Sequence, residues 1–211
     1  MSFKRFYEEK YASRVENLNP MKLHAITLFP PPPRKILDVG CGTGVLAGML
    51  TEYGYEVTGI DISDQAIEKC HMKGINAYVQ DLSEPFTFKE HDFDCILMSE
   101  VIEHLVDPVQ VLQKLRARLK PGGIMVLTTP NSVFLTRRLR YLIGKSSTET
   151  QNFSHLRFFS MNMLSRVVTA AGFQITELLG YLFNPFNMKT GFVLRFGRNL
   201  LAENFIIVLQ A

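Results

Sequence analysis

The chain has no tryptophan and only three cysteines in 211 residues. Cys41, Cys70 and Cys95 lie far apart and form no C-x-x-C pair. That spacing argues against a zinc site or a disulfide framework and favours a reducing compartment. No uninterrupted apolar run reaches the length of a membrane span. The opening stretch, Met1 to Glu9, soon turns acidic and holds no apolar core of the signal-peptide type. The expectation is a soluble, cytoplasmic protein. Internal repeats are missing, and the one low-complexity tract is Pro30-Pro31-Pro32-Pro33. No RNA-binding module or aromatic-basic repeat is visible, so the chain carries no strong nucleic-acid signal.

What is present suits one globular domain with a substantial core. Hydrophobic residues make up 46% and charged residues 20%, with 16 Phe and 7 Tyr supplying aromatic bulk. Net charge is +3, but it is unevenly spread. Residues 1–35 carry seven Lys/Arg against three Asp/Glu, residues 36–130 seven against 14, and residues 131–211 nine against three. An acidic middle lies between basic ends. Those ends are either ordinary solvated surface or the place where an anionic substrate or surface is met.

The most informative stretch is Ile36-Leu37-Asp38-Val39-Gly40-Cys41-Gly42-Thr43-Gly44. It reads as a buried strand ending in an acid, then a loop with three glycines, then a helix over about 45–53. Such a loop at a helix N-terminus brings backbone against a nucleotide-like ligand. The spacing is G-x-G-x-G and not G-x-G-x-x-G, which points to a cofactor smaller than a dinucleotide. Asp61 closes the next apolar strand, 17 residues after Gly44, where an acid can accept from both ribose hydroxyls.

From residue 36 to 130 the pattern alternates. Strands are expected at about 35–39, 55–60, 75–79, 93–98 and 123–129, with helices at 45–53, 64–73 and 108–118. βα units of this size imply a parallel sheet with helices on both faces. Ser63 is expected to cap the second of these helices, and Ser160 a further helix at 161–171. Two more strands, 173–179 and 205–209, flank a short segment at 191–201. Residues 3–28 read as helical and 30–33 as a stiff spacer, which makes the N-terminal segment an appendage to the sheet.

These residues resemble the class I S-adenosylmethionine-dependent methyltransferases, strongly over 34–130 and more weakly over 155–211. The resemblance implies an α/β, Rossmann-like sheet of seven strands in the order 3-2-1-4-5-7-6, with the last strand antiparallel. It divides the single domain into an N-terminal cap and linker (1–33), a cofactor-binding core (34–130), a substrate lid (131–160) and a C-terminal helix with strands 6 and 7 (161–211). It implies S-adenosyl-L-methionine as cofactor. Asp38, Gly40, Cys41, Gly42 and Gly44 would form the loop, Asp61 would take the ribose and Ile62 the adenine face. Gln80, Asp81 and Leu82 would read adenine, and Met98 and Ser99 would line the methionine moiety. The acceptor is expected to be a small molecule methylated at a hydroxyl. A cofactor-binding accessory protein without turnover is the alternative class.

The chemistry is expected just after strand 4, in Glu100-Val101-Ile102-Glu103-His104. On one helical turn, positions i, i+3 and i+4 share a face. This E-x-x-E-H resembles the motif of ubiquinone-pathway O-methyltransferases. It also resembles that of small-RNA 2′-O-methyltransferases, where these side chains with a further His bind a divalent metal. His155 could be that further ligand here, or a general base. Glu103, His104 and His155 are the catalytic candidates. The metal-free reading is preferred, because the donor needs no metal to be activated. Finally, residues 133–143 form an apolar helix carrying Arg137, Arg138 and Arg140. It reads as a lid, a lipid-facing helix or a nucleic-acid contact.

Overall fold

The computed structural model describes residues 20–146, 152–184 and 187–211. Eight strands form one sheet: β1 Lys35–Val39, β2 Glu56–Asp61, β3 Asn76–Val79, β4 Phe93–Ser99, β5 Leu119–Pro130, β6 Gln174–Asn184, β7 Asn187–Leu194 and β8 Asn204–Gln210. Their spatial order is β3-β2-β1-β4-β5-β8-β6-β7. The first five run parallel, whereas β8 is antiparallel to both β5 and β6. The described helices are α1 Pro20–Ile26, α2 Val45–Glu52, α3 Asp64–Met72, α4 Pro108–Arg116, α5 Leu135–Leu142, α6 Met161–Ala170 and α7 Arg198–Leu201, with a 3₁₀ turn at Ile102–His104.

Alternation along the central strands makes two apolar layers. Leu37, Val39, Ile96 and Met98 face one side, with Leu112 and Leu115 of α4 and Leu164 and Val168 of α6. Ile36, Cys95 and Leu97 face the other, with Leu46, Ala47 and Leu50 of α2 and Ile67 and Cys70 of α3. Both faces are covered, so the inner strands are apolar almost throughout. The caps fall where expected: Ser63 Oγ accepts from Ala66 N, and Ser160 Oγ from Met163 N. Asp107 caps α4 through Gln110 N at 3.0 Å.

Two expectations are corrected. The sheet has eight strands, not seven, because β7 pairs with β6 as an antiparallel hairpin at the edge. The strand expected last is β8, antiparallel as foreseen. β7 lacks apolar alternation and carries Gly191, whose missing Cβ leaves room for the Tyr181 ring, 2.5 Å from where that atom would stand. The N-terminal segment is also no mere appendage. α1 packs against β5 and β7, and its Met21 and Ala25 are fully buried in the second layer. The rest of the N-terminal helix expected over 3–28, up to residue 19, lies outside the described residues.

Candidate active site

A cleft of about 400 Å³ opens at the C-terminal ends of the parallel strands. Nine of the residues named from the sequence line it: Gly40, Asp61, Ile62, Gln80, Asp81, Leu82, Ser99, Glu100 and His104. They stand on four successive strand ends, which is where the open ends of parallel sheets bind ligands. A larger cavity, about 820 Å³, lies at the other end of the strands near Lys35, Glu56 and Lys120, and holds none of them.

The glycine loop is tight. Gly40, Gly42 and Gly44 all take positive φ, at 74°, 55° and 74°. A Cβ on Gly40 would stand 2.5 Å from Val101 Cγ2, and one on Gly44 would stand 2.6 Å from Ile75 Cδ1. The Gly40 and Cys41 amides donate to Ile60 O, at 2.8 and 3.1 Å, which ties the loop to the end of β2. Asp61 completes the tie. Its Oδ2 accepts from Gly42 N and its Oδ1 from Ser63 N, both at 3.0 Å. Asp61 is buried but lines the cleft, and a carboxylate oxygen can accept more than one hydrogen bond.

Other named residues act from beneath. Asp38 and Cys41 are buried under the loop, and Met98 is wholly enclosed in the core beside the cleft residue Ser99. Cys41 packs against Cys70, whose Sγ donates to Gly42 O at 3.3 Å. The hydrogen bond with Cys70, then burial, push the Cys41 thiol well above its usual range. Gln80 props the wall of the cleft: Oε1 accepts from Thr87 N at 2.8 Å and Nε2 donates to Asp81 O at 2.7 Å. Asp81 Oδ1 is held by Ser83 N and Oγ.

Lys22 of α1 also lines the cleft, and sequence reasoning missed it. The signal was a cation in a helix already assigned to the N-terminal cap. Leu105, Val106 and Val111 supply apolar wall after β4.

The expected face shared by Glu100, Glu103 and His104 does not form. Glu100 has φ 59°, its amide donates to Thr128 O at 3.1 Å, and its Oε1 accepts from Asn204 Nδ2 at 3.3 Å. The left-handed residue extends the strand ladder by one bond, so the helix cannot include it. Glu103 and His104 follow on the 3₁₀ turn.

His155 does reach them. Glu103, His104 and His155 each offer a ligand atom, all within 4.8 Å of one another. The imidazoles meet edge to face, centroids 4.8 Å apart. The loop holding His155 is fastened by Leu156 N and Arg157 N, which donate to Glu103 O at 2.9 and 3.0 Å. Asn152 Oδ1 accepts from Ser154 N and Oγ, shaping the turn before it. His104 Nδ1 lies 2.7 Å from Ser154 O. A carbonyl can only accept, so Nδ1 carries the proton and Nε2 is the basic nitrogen. Thr129 Oγ1 donates to Glu103 Oε2 at 3.1 Å.

A parallel sheet in this order, with one antiparallel strand inserted beside the fifth and a glycine-lined cleft at the switch point, is the fold of class I methyltransferases. Residues 4–178 match a family model described as a methyltransferase domain, and the chain belongs to that family: it is an S-adenosylmethionine-dependent methyltransferase. Among curated relatives, a ubiquinone biosynthesis O-methyltransferase of Haemophilus ducreyi is 31% identical, over 93% of this chain and 88% of that one. The mitochondrial ubiquinone biosynthesis O-methyltransferase of Homo sapiens is 33% identical over 72% of this chain and 45% of that one. Among solved structures, a methyltransferase of Thermotoga maritima described as a possible histamine N-methyltransferase superposes with TM-score 0.70, at 21% identity, over 97% of this chain and 90% of that one. That likeness concerns the fold.

Proposed function

We propose that the protein methylates the hydroxyl of a small-molecule acceptor held between the cofactor cleft and the Glu103, His104, His155 cluster. The observation that supports this most directly is the convergence of those three side chains within 4.8 Å, with His104 also lining the cleft. The relatives named as O-methyltransferases point the same way. The cleft fits S-adenosyl-L-methionine, because a glycine cradle that a Cβ would fill stands beside a buried carboxylate and an apolar wall. That cofactor supplies a methyl group already activated on a sulfonium.

The chain then has three tasks. Gly40, Asp61, Ile62, Asp81 and Leu82 bind and orient the nucleoside, with Asp61 taking the ribose hydroxyls. Ser99 and Glu100 border the other end of the cleft, and Lys22 adds a cation that suits a carboxylate. His104 Nε2 accepts the acceptor's proton, with Ser154 O fixing the tautomer and Glu103 and His155 positioning the ring. α1 and the described parts of 131–160 cover the acceptor, and the basic composition of the two ends favours one that is anionic or lipid-like.

The same geometry supports a second reading. One carboxylate and two imidazoles are a donor set for a divalent cation, and His104 already donates its other ring nitrogen to a backbone carbonyl, as metal-ligating histidines do. Glu103, His104 and His155 would hold the ion, which would lower the pKa of a bound hydroxyl.

The test is methyl transfer from labelled S-adenosylmethionine to a panel of phenols, aliphatic alcohols and amines, with and without chelator. Transfer to hydroxyls is expected. Transfer only to amines would overturn the hydroxyl assignment. Binding of the cofactor without turnover on any acceptor would favour the accessory class. Loss to chelator with recovery on adding a divalent ion would select the metal reading.

A further inference from the structure

α5 turns its faces the wrong way round for an ordinary surface helix. At a period of 3.6 residues, Leu135, Leu139 and Leu142 fall on one side, and Ile143 extends it. A helix on a globular surface lays such a stripe on the core. Here none of the eight residues of α5 is buried. Leu139 is 52% exposed, Leu142 81% and the following Ile143 68%. The side turned toward the protein is that of Arg137, which is half-buried and donates to Asn131 O and Glu203 O.

Charge narrows what could cover this face. Residues 131–148 contain Arg137, Arg138, Arg140 and Lys145 and no Asp or Glu. Arg138 and Arg140 are exposed, and their Nε groups donate to Val133 O and Ser146 O of the same segment. At helical spacing Arg138 lies beside Leu135 and Leu142, and Arg140 beside Ile143, so both flank the apolar stripe. A cationic, acid-free helix with an outward Leu/Ile face is built for the boundary between phosphate headgroups and acyl chains. Its place in the fold agrees. α5 follows directly from the C-terminal end of β5, where Pro130 and Ser132 border a small cavity beside Glu103 and His155.

We propose that α5 docks the protein on an anionic phospholipid bilayer. Leu139, Leu142 and Ile143 enter the acyl boundary, and Arg138, Arg140 and Lys145 lie among the phosphates. The docking is peripheral, since no helix among the described residues is long and apolar enough to cross a membrane. It does not depend on which atom is methylated, and vesicle binding reads it whether or not an acceptor is known.

The experiment is co-sedimentation of the full chain with phosphatidylcholine vesicles, with and without phosphatidylglycerol, at low and high salt. The expected result is binding only to the phosphatidylglycerol vesicles, weakened by salt. Two double variants, Arg138→Glu with Arg140→Glu and Leu139→Ser with Leu142→Ser, should each lose about tenfold or more. Their thermal midpoints should match the parent, because all four side chains are exposed. No binding by the parent at low salt, or equal binding by parent and variants, would overturn the proposal. So would self-association that Leu139→Ser with Leu142→Ser abolishes in a chain that ignores vesicles, since a second copy would then cover this face.

Discussion

The cofactor cleft and the Glu103, His104, His155 cluster share one end of the sheet but are assembled differently. In the cleft, Gly42 and Asp61 are 19 positions apart and are joined by one hydrogen bond across neighbouring strand ends. In the cluster, His104 is oriented by Ser154, 50 positions away, through a loop that crosses between elements. The first is local and rigid, with a Cβ's space already filled at Gly40. The second depends on where a long excursion of the chain returns. Changes in the cleft should therefore cost binding and folding together, whereas changes in the cluster should separate binding from turnover.

The strongest break is Gly40→Val. It adds side-chain atoms where Val101 Cγ2 already sits and forces a β-branched residue to φ 74°. Cofactor binding should vanish in a calorimetric titration, and the thermal midpoint should fall, since a residue that cannot adopt the native φ costs more than about 1 kcal/mol. A Gly40→Val chain that binds normally would show the loop to be slack.

Next comes His155→Ala, set beside Glu103→Ala. Turnover should drop by roughly 100-fold or more, the range of a lost proton-transfer arrangement. Cofactor affinity should stay within about twofold, because the cleft is built without His155. If both fell together, the cluster would be part of the cofactor site.

A smaller effect is expected for Asp61→Ala. On the proposed role of Asp61 as ribose acceptor, losing those charge-assisted bonds should weaken cofactor binding about 10- to 100-fold. The Gly42 and Ser63 amides also lose their acceptor, so some stability should go with it.

The smallest concerns α1, which reaches both the cleft through Lys22 and the sheet through Met21. Burial holds the His24 imidazole below its usual 6.5, against an opposing pull from the Glu177 charge. The native state thus prefers neutral His24, and the unfolded chain takes up the proton first as pH falls. Stability from this residue is complete above about pH 6.5 and is lost below it. His24→Phe should flatten the fall in thermal midpoint on acidification, and an unchanged slope would count against it.

Legibility followed the same division. Strands 1 to 5, their helices and the caps at Ser63 and Ser160 could be read because each element is short and its apolar period is clean. The cleft could be read because its residues sit at successive strand ends. Glu100 could not, since a left-handed non-glycine leaves no mark in the sequence, and E-x-x-E-H looks like helical spacing until that residue breaks it. β7 was hidden because an edge strand need not alternate, and Phe192 there is 55% exposed. α1 looked detached because its docking surface comes from β5 and β7, more than 90 residues further on.

The two amides of Leu156 and Arg157 that close on Glu103 O have a consequence for measurement. They make the His155 loop and the 3₁₀ turn a single fastening, so neither can open without releasing both protons to solvent. Hydrogen exchange at these two positions is therefore a clock for assembly of the cluster, readable without any acceptor. Slow exchange that outlasts the rest of the loop would mean a preformed site. Exchange that slows only on adding cofactor would mean that filling the cleft sets the cluster in place.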